Sequence, residues 1–326
     1  MMVRNDASWI RTVFTVRGSS LTRTWGRLLL VTVFATLVTY LHDTYGLLHT
    51  NLTVTPFSLI GLALGIFLGF RNNTSYDRFW EGRKLWGRVV NASRTLTRQV
   101  LTLVGPAGSS VAYRTCAIDD GTVDPEVRAL HHRVVRRAIA YVHALRLHLR
   151  SDRSLDDLKA YLEDEELADL VGESNRPIAI LQRIGAELRV AWDRGLISEF
   201  HLPTLEATLT ELAGVQGGCE RIKATPIPYS YNILLHRIVF VYCFALPLGL
   251  VSIEGLGQYT PIVCLLISYA FFGLDAVGDE IEDPFGEDIN DLPLATITRM
   301  IEVNLLERLG EEDLPPFLEP KDGVLR

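Results

Sequence analysis

The sequence predicts an all-α integral membrane protein with four transmembrane helices and a helical cytosolic domain. No Lys or Arg occurs between Arg27 and Arg71, or between Arg237 and Arg299, so two long stretches lack basic residues. Most of the charge lies between these stretches and in the C-terminal tail. No long stretch alternates with the period of two that a half-buried strand requires. The hydrophobic fraction of 48% is ordinary for a globular protein, so the distribution of apolar residues carries the prediction.

Each predicted span is an apolar segment, and about 20 helical residues cross the roughly 30 Å hydrocarbon core of a bilayer. The chain offers four such segments: residues 28–41, 54–70, 233–253 and 260–274. In the second, Thr55 is the predicted N-cap and Pro56 takes the first helical position. Pro247 lies inside the third. The alternative is that the four segments form two buried helical hairpins of a soluble protein.

The orientation of the spans follows from the basic residues beside them, which tend to stay in the cytoplasm. Such residues precede the first span and follow the second, and the loop between the two spans has none: Arg4, Arg11, Arg17, Arg23 and Arg27, then Arg71, Arg78, Arg83, Lys84 and Arg88. Arg221, Lys223 and Arg237 lie near the start of the third span. We therefore predict a multi-pass protein whose two termini are both cytoplasmic.

These predictions divide the chain into five segments. They are a cytosolic N-terminal segment (1–27), the first two spans (28–70), a helical cytosolic domain (71–232), the last two spans (233–274) and a cytosolic acidic segment with the C-terminal tail (275–326). Within the cytosolic domain, helical spacing of apolar residues is clear at 134–145, and 206–221 is a further predicted helix. Residues 105–121, rich in Gly, Ala, Ser and Asp, form a predicted loop.

Two stripes of residues, each with a period of four, run along the helix of the second span. The first consists of small residues, which let a neighbouring helix approach closely in lipid: Gly61, Gly65 and Gly69. The second lies one position on, about 100° around the helix, and consists of large apolar residues: Leu62, Ile66 and Phe70. If several copies surround an axis, the second stripe makes a narrow hydrophobic neck that can gate by dewetting. The alternative is that this stripe faces lipid or another helix.

Three motifs resemble the bestrophin family. Directly after Phe70, residues 71–94 read RNNTSYDRFWEGRKLWGRVVNASR, with the family pattern Phe-Arg-Asn, Tyr-x-Arg-Phe-Trp-Glu-x-Arg and Trp-Gly. Residues 282–288 read EDPFGED, close to the family's Asn/Asp-Pro-Phe-Gly-Glu-Asp signature, and residues 224–229 read ATPIPY. The matches occur in the family's order, and the resemblance covers nearly the whole chain.

The resemblance implies a homopentameric ion channel around a central pore, in the inner membrane if the chain is a bacterial member. The partners are then other copies of the chain, the bilayer and the permeant monovalent ions. The neck positions of the family fall on Leu62, Ile66 and Phe70. The family also narrows the cytosolic end of its pore with an apolar residue that follows a proline. In the stretch 175–178, Asn-Arg-Pro-Ile, this implies Ile178 as the aperture, with Ile180 as the second candidate.

Eight acids crowd the end of the fourth span: Asp275, Asp279, Glu280, Glu282, Asp283, Glu287, Asp288 and Asp291. Clustered oxygens suit Ca²⁺, which takes six to eight such ligands. The resemblance to animal bestrophins implies a calcium clasp with carboxylates from Asp288 and Asp291, and backbone carbonyls from Glu280 and Asp283. Ile289 and Asn290 interrupt the family's run of acids, so a solvated acidic turn is the alternative. A third use is an acidic ring that favours cations. No other cofactor is expected.

Composition and motifs also exclude other classes of function. The net charge of −7 opposes nucleic acid as a partner, because phosphate binding needs a concentrated basic face. No phosphate-binding glycine loop, nucleophile elbow or zinc motif is present, so we expect no enzyme. The negative charge favours monovalent cations such as sodium, with chloride or other anions as the alternative. A secondary transporter and a non-conducting membrane scaffold are the other candidates, and Pro247 is the one helix break that supports the transporter.

Overall fold

The computed structural model describes residues 1–2, 9–46, 53–106, 124–253 and 255–325. These ranges contain α-helices, two short 3₁₀ turns and isolated bridges but no strand, so the all-α prediction is confirmed for them. The helices are α1 (Trp9–Val13), α2 (Leu21–Tyr45), α3 (Val54–Leu103), α4 (Pro125–Leu149), α5 (Asp164–Val171), α6 (Arg176–Asp193), α7 (Leu202–Ala224), α8 (Tyr229–Leu250), α9 (Thr260–Glu282) and α10 (Leu294–Leu309).

Four of the helices in the described ranges are long and apolar enough to cross a membrane, as predicted: α2, the first part of α3, α8, and α9 with the turn before it. α2 extends beyond its predicted limits at both ends, and α3 and α9 extend beyond theirs at the C-terminal end, because polar residues there continue the helical hydrogen bonding. Thr55 is not the N-cap of α3, since the helix already begins at Val54 and Thr53 takes that position. Pro247 does not break α8, and its carbonyl accepts a hydrogen bond from the Val251 N–H at 3.0 Å.

The membrane helices share one apolar core. It is built from buried residues of α2, α3, α8 and α9: Leu28, Val31, Ala35, Leu64, Leu68, Val239, Tyr242, Cys243, Leu246, Leu250, Cys264 and Phe272. The outer face of α2 instead leaves Leu29, Leu30 and Val33 more than half exposed. A long run of exposed apolar residues on a helix of this length is what a lipid-facing surface requires.

The helix α3 joins the membrane core to a second core. It runs unbroken for 50 residues, about 75 Å at 1.5 Å per residue. Its second half buries Trp86, Val89, Leu96 and Val100 against α4, α7 and α10. The predicted segment boundary at 70/71 therefore falls inside a helix, as do those at 232/233 in α8 and 274/275 in α9.

The second core belongs to the predicted cytosolic domain, where α4 is central. Its apolar face is buried, and the Tyr141 hydroxyl donates to the carbonyl of Leu212 at 2.9 Å. On another face, Arg137 binds Glu166 on α5 and Glu187 on α6. The predicted helix at 206–221 lies within α7. Most of the predicted loop at 105–121 lies outside the described residues.

Candidate pore and its anchoring

The large apolar stripe of α3 is not used by the chain's own packing. Leu62, Ile66 and Phe70 are 66%, 51% and 63% exposed. Leu64 and Leu68, on another face of the same helix, are 2% and 0% exposed and belong to the membrane core. The helix therefore divides its apolar residues between a face that packs against α8 and α9 and a face that lies open.

An ionic cluster fixes this part of α3. Arg71, directly after Phe70, is 1% exposed. Its guanidinium donates to the backbone carbonyl of Asp275 at 2.8 Å and to the Asp279 carboxylate, and it lies 3.7 Å from the Glu282 carboxylate. A buried cation is stable only when acceptors surround it. Since all these acceptors lie on α9, the cluster sets the position of α3 against α9 at the last residue of the stripe.

The same cluster reaches the other two spans through Asp275, whose carboxylate is 1% exposed. His236 Nδ1 of α8 lies 2.9 Å from this carboxylate, and Arg27 Nη1 of α2 lies 3.5 Å from it. His236, Asp275 and Asp279 form a group of three ligand-type side chains whose atoms lie within 4.8 Å of one another. The guanidinium groups of Arg71 and Arg27 already compensate the carboxylates of Asp275 and Asp279. This cluster therefore links the helices α2, α3, α8 and α9.

A second arginine anchors α3 two turns further on. The Arg78 guanidinium donates to three backbone carbonyls, those of Ile222 at 2.7 Å, Thr225 at 2.5 Å and Glu282 at 3.0 Å. Ile222 and Thr225 lie at the C-terminal end of α7, and Glu282 is the last residue of α9. Glu282 in turn accepts from the backbone N–H of Ile227 at 3.0 Å. The end of the membrane core that follows Phe70 is thus held together by the side chains of Arg71, Arg78 and Glu282.

The small-residue stripe is used in part. A Cβ placed on Gly61 would lie 2.5 Å from the Tyr242 hydroxyl, so this glycine permits the close approach of α8. A Cβ on Gly65 or Gly69 would meet nothing within 4 Å. Helix packing at Gly61 is therefore seen within one chain, whereas for Gly65 and Gly69 it stays a prediction about contacts between copies.

The two aperture candidates have different environments. Ile178 lies in the first turn of α6 and is 42% exposed. Ile180 is 0% exposed in the second core, so it does not line an aqueous opening in this structure. Asn175 caps α6 by accepting from the Ile178 N–H at 3.4 Å, and its amide donates to Glu220 on α7 at 2.9 Å. The exposed Ile178 is therefore held by a cap that is bonded to α7.

The acids of the candidate calcium site lie at the end of α9 and in the turn after it, and most of them already accept protein hydrogen bonds. The Asp288 carboxylate accepts from the Arg23 guanidinium at 2.7 Å. The Asp291 carboxylate accepts from the backbone N–H of Asp288 at 2.7 Å. The Glu280 carboxylate accepts from the Asn290 amide at 3.0 Å. Burial, with the neighbouring acids, raises the pKa of Asp291 to about 6.

The same turn is attached to the N-terminal segment by direct hydrogen bonds. The Asn290 amide donates to the carbonyl of Gly18 at 3.1 Å, so both Asn290 and Arg23 bridge the two segments. The expected clasp takes carboxylates from Asp288 and Asp291, and both of these already accept protein hydrogen bonds. Calcium binding at this turn stays a prediction, with the solvated acidic turn as its alternative.

Sequence reasoning missed the cluster around Arg71. It treated Asp275, Asp279 and Glu282 as members of an acidic ring, whereas each of them faces a cation or a hydrogen-bond donor. The available signal was a single arginine directly after an apolar span, opposite a span that ends in acids with helical spacing. A buried charge in that position requires a partner of opposite sign.

Comparisons with known proteins agree with this architecture. A family model described as bacterial/fungal bestrophin protein matches residues 1–307. The voltage-dependent anion channel-forming protein YneE of Escherichia coli K12 is 38% identical over 320 residues, which cover 98% of each chain. A protein named in the same way from Ralstonia nicotianae is 38% identical over 96% of each chain. The crystal structure of a bacterial bestrophin homolog from Klebsiella pneumoniae is 36% identical, with a TM-score of 0.77, over 88% of this chain and 99% of that one.

Proposed function

The chain belongs to the bacterial and fungal bestrophin family, and from that premise we propose that it is the subunit of a homopentameric channel for monovalent ions. The observation that carries the proposal is the open stripe of Leu62, Ile66 and Phe70 beside a buried face of the same helix. An apolar stripe that faces an axis between copies forms the neck, where the loss of water closes the pore. Ile178, exposed at the first turn of α6, forms the cytosolic aperture.

We propose anions such as chloride as the permeant species. The net charge of −7 and the acids after the fourth span favoured cations. In the structure, however, those acids are largely compensated by Arg23, Arg27 and Arg71, so they are a weaker source of negative potential. The related proteins from Escherichia coli and Ralstonia nicotianae are named anion channel-forming proteins. Both points favour the anion over the cation.

We also place the channel in the bacterial inner membrane with both termini in the cytoplasm. Met2 forms a backbone bridge with Val324, and the Leu325 N–H donates to the carbonyl of Met1 at 2.9 Å, so the two ends of the chain meet on one side. The basic residues beside the spans make that side cytoplasmic. A reporter fused to the C-terminus that fluoresces only in the cytoplasm is expected to fluoresce, and a reporter active only outside the membrane is expected to be silent.

Recording from purified protein in planar bilayers tests conduction and its sign. We expect steady ohmic current, and in asymmetric NaCl a reversal potential near that of chloride. A reversal potential near that of sodium would overturn the anion assignment and leave the channel intact. Absence of current together with substrate-coupled uptake into vesicles would overturn the channel in favour of a transporter.

Neck variants test where the gate lies. Ile66→Ala and Phe70→Ala widen the apolar constriction, so we expect a higher open probability in both. Phe67→Ala is the matched control, because Phe67 is also exposed and apolar but lies about 100° around the helix from Ile66. Unchanged open probability in both neck variants would contradict a gate at the neck and move it to Ile178.

A further inference from the structure

The open stripe of α3 does not end at Phe70. The helix continues without a break to Leu103, and a step of seven residues returns to nearly the same face, with a drift of about 20°. Seven residues after Phe70 stands Asp77, and seven further stands Lys84. Both lie within about 20° of the mean direction of Leu62, Ile66 and Phe70 on a straight helix.

Both charged side chains point away from the chain's own core. The buried positions of this stretch, Ser75, Gly82 and Trp86, lie on the opposite side of the helix. Asp77 and Lys84 are exposed, and neither forms an ion pair or a hydrogen bond with another side chain among the described residues.

Four of the other five charged residues between 71 and 88 behave differently, whereas Arg83 is likewise exposed and without an ion pair or a side-chain hydrogen bond among the described residues. Arg71 and Arg78 are satisfied by acceptors on α7 and α9. Arg88 pairs with Glu211 at 3.3 Å, and Glu81 pairs with Arg221 at 2.5 Å. The two uncompensated charges that follow Phe70 along the stripe thus have no structural role within the chain, which distinguishes them from their paired neighbours.

We propose that Asp77 and Lys84 are the residues that set the charge selectivity of the pore on the cytosolic side of the neck. This inference rests on the proposed function, since it needs several copies of α3 around one axis. It then places a ring of carboxylates about 10 Å below Phe70 and a ring of ammonium groups about 21 Å below it. Rings of charged side chains select the sign of permeant ions.

The two rings act in opposite directions and with different strength. Carboxylates concentrate cations near the neck and repel anions, and ammonium groups do the reverse. At physiological salt, charges are screened over about 8 Å, so the Asp77 ring acts on ions at Phe70 far more than the Lys84 ring does. The Asp77 ring therefore limits the anion preference proposed above, and the Lys84 ring supports it.

Charge-neutralising variants test the inference by reversal potential in asymmetric NaCl. Asp77→Asn should lower the sodium-to-chloride permeability ratio by about twofold or more. Lys84→Gln should raise the ratio, by a smaller factor, and Asp77→Glu, which keeps the charge, should leave it unchanged. In about 1 M salt, where the screening length is about 3 Å, the shifts should shrink.

Matched controls separate a pore position from a general surface charge. Arg83→Gln removes an exposed cation next to Lys84 but about 100° around α3, and Glu165→Gln removes an exposed acid on α5. Both should keep the wild-type ratio. A conducting Asp77→Asn or Lys84→Gln channel with an unchanged ratio would overturn the inference, as would an equal shift in a control. Absence of wild-type current would instead overturn the proposed function.

Discussion

Removing the buried guanidinium of Arg71 directly tests the anchoring of α3, the proposed pore helix. In Arg71→Met, the apolar chain is kept and the charge is lost. The carboxylate of Asp275, 1% exposed, then loses one of its cations, and Asp279 and Glu282 lose their shared partner. We expect the variant to be expressed but clearly less stable than the wild type.

The magnitude follows from the burial of the pair. Breaking a buried ion pair by removing one partner costs about 3–5 kcal/mol, because the other charge stays buried. Asp275 still has His236 at 2.9 Å and Arg27 at 3.5 Å, so the lower end, about 3 kcal/mol, applies. With about 2 °C per kcal/mol for a chain of this size, the melting midpoint should fall by about 6 °C.

The assay is thermal unfolding in detergent at one fixed scan rate, since midpoints of irreversible unfolding depend on that rate. Arg88→Gln is the control, because its exposed pair with Glu211 is worth only about 0–1 kcal/mol. Arg71→Met/Asp275→Asn removes both charges and should recover part of the loss. A midpoint for Arg71→Met within about 1 °C of the wild type would refute the reasoning.

Three further predictions concern packing, pH and calcium. Gly249→Ala should lower the stability by about 1–3 kcal/mol, because its Cβ would meet the ring of Phe57 at less than 3 Å, whereas Gly214→Ala, at an exposed position of α7 with open space, should not. Burial raises the pKa of Glu187, but hydrogen bonds from two arginines of α4 outweigh it and leave the pKa below its ordinary value. Its stabilising effect is therefore present above about pH 4.5 and lost as the pH falls through the lowered pKa, so Glu187→Gln should be less stable near pH 7 and lose this difference in acid. Calcium or excess EGTA should leave the melting midpoint and the open probability unchanged, because the Asp288 and Asp291 carboxylates already accept protein hydrogen bonds. A calcium-dependent rise in either quantity would support the calcium clasp instead.

Features that depend on local sequence patterns were predictable from the sequence. The lengths of the apolar runs predicted the four spans, and a period of four residues predicted the stripe of Leu62, Ile66 and Phe70, whose side chains are exposed in the structure. These properties depend on neighbouring residues along one helix. Helix ends were less accurate, because α3 and α9 continue into polar sequence that packs against other helices.

What the sequence did not predict depends on contacts between distant parts of the chain. Arg71 and Asp275 are separated by 204 residues, and no local pattern shows that they meet. The same holds for Arg23 and Asp288, whose contact turns a candidate calcium ligand into half of an ion pair. Ile178 and Ile180 lie on opposite sides of α6, and only the side that carries Ile180 faces the core. Residues two positions apart on a helix are separated by about 200° around its axis.

The position of the ionic cluster constrains how the proposed neck can open. Phe70, the last residue of the stripe, directly precedes Arg71, and Arg78 is fastened to three carbonyls two turns on. A rotation of α3 that withdrew the stripe from the axis would have to break these buried bonds, at about 3–5 kcal/mol for the Arg71 pair alone. Rotation of the exposed side chains of Ile66 and Phe70 breaks none of them. A gate that opens by side-chain motion and wetting is therefore compatible with the anchored helix, whereas a gate that opens by rotation of α3 would be sensitive to Arg71→Met in its open probability as well as in its stability.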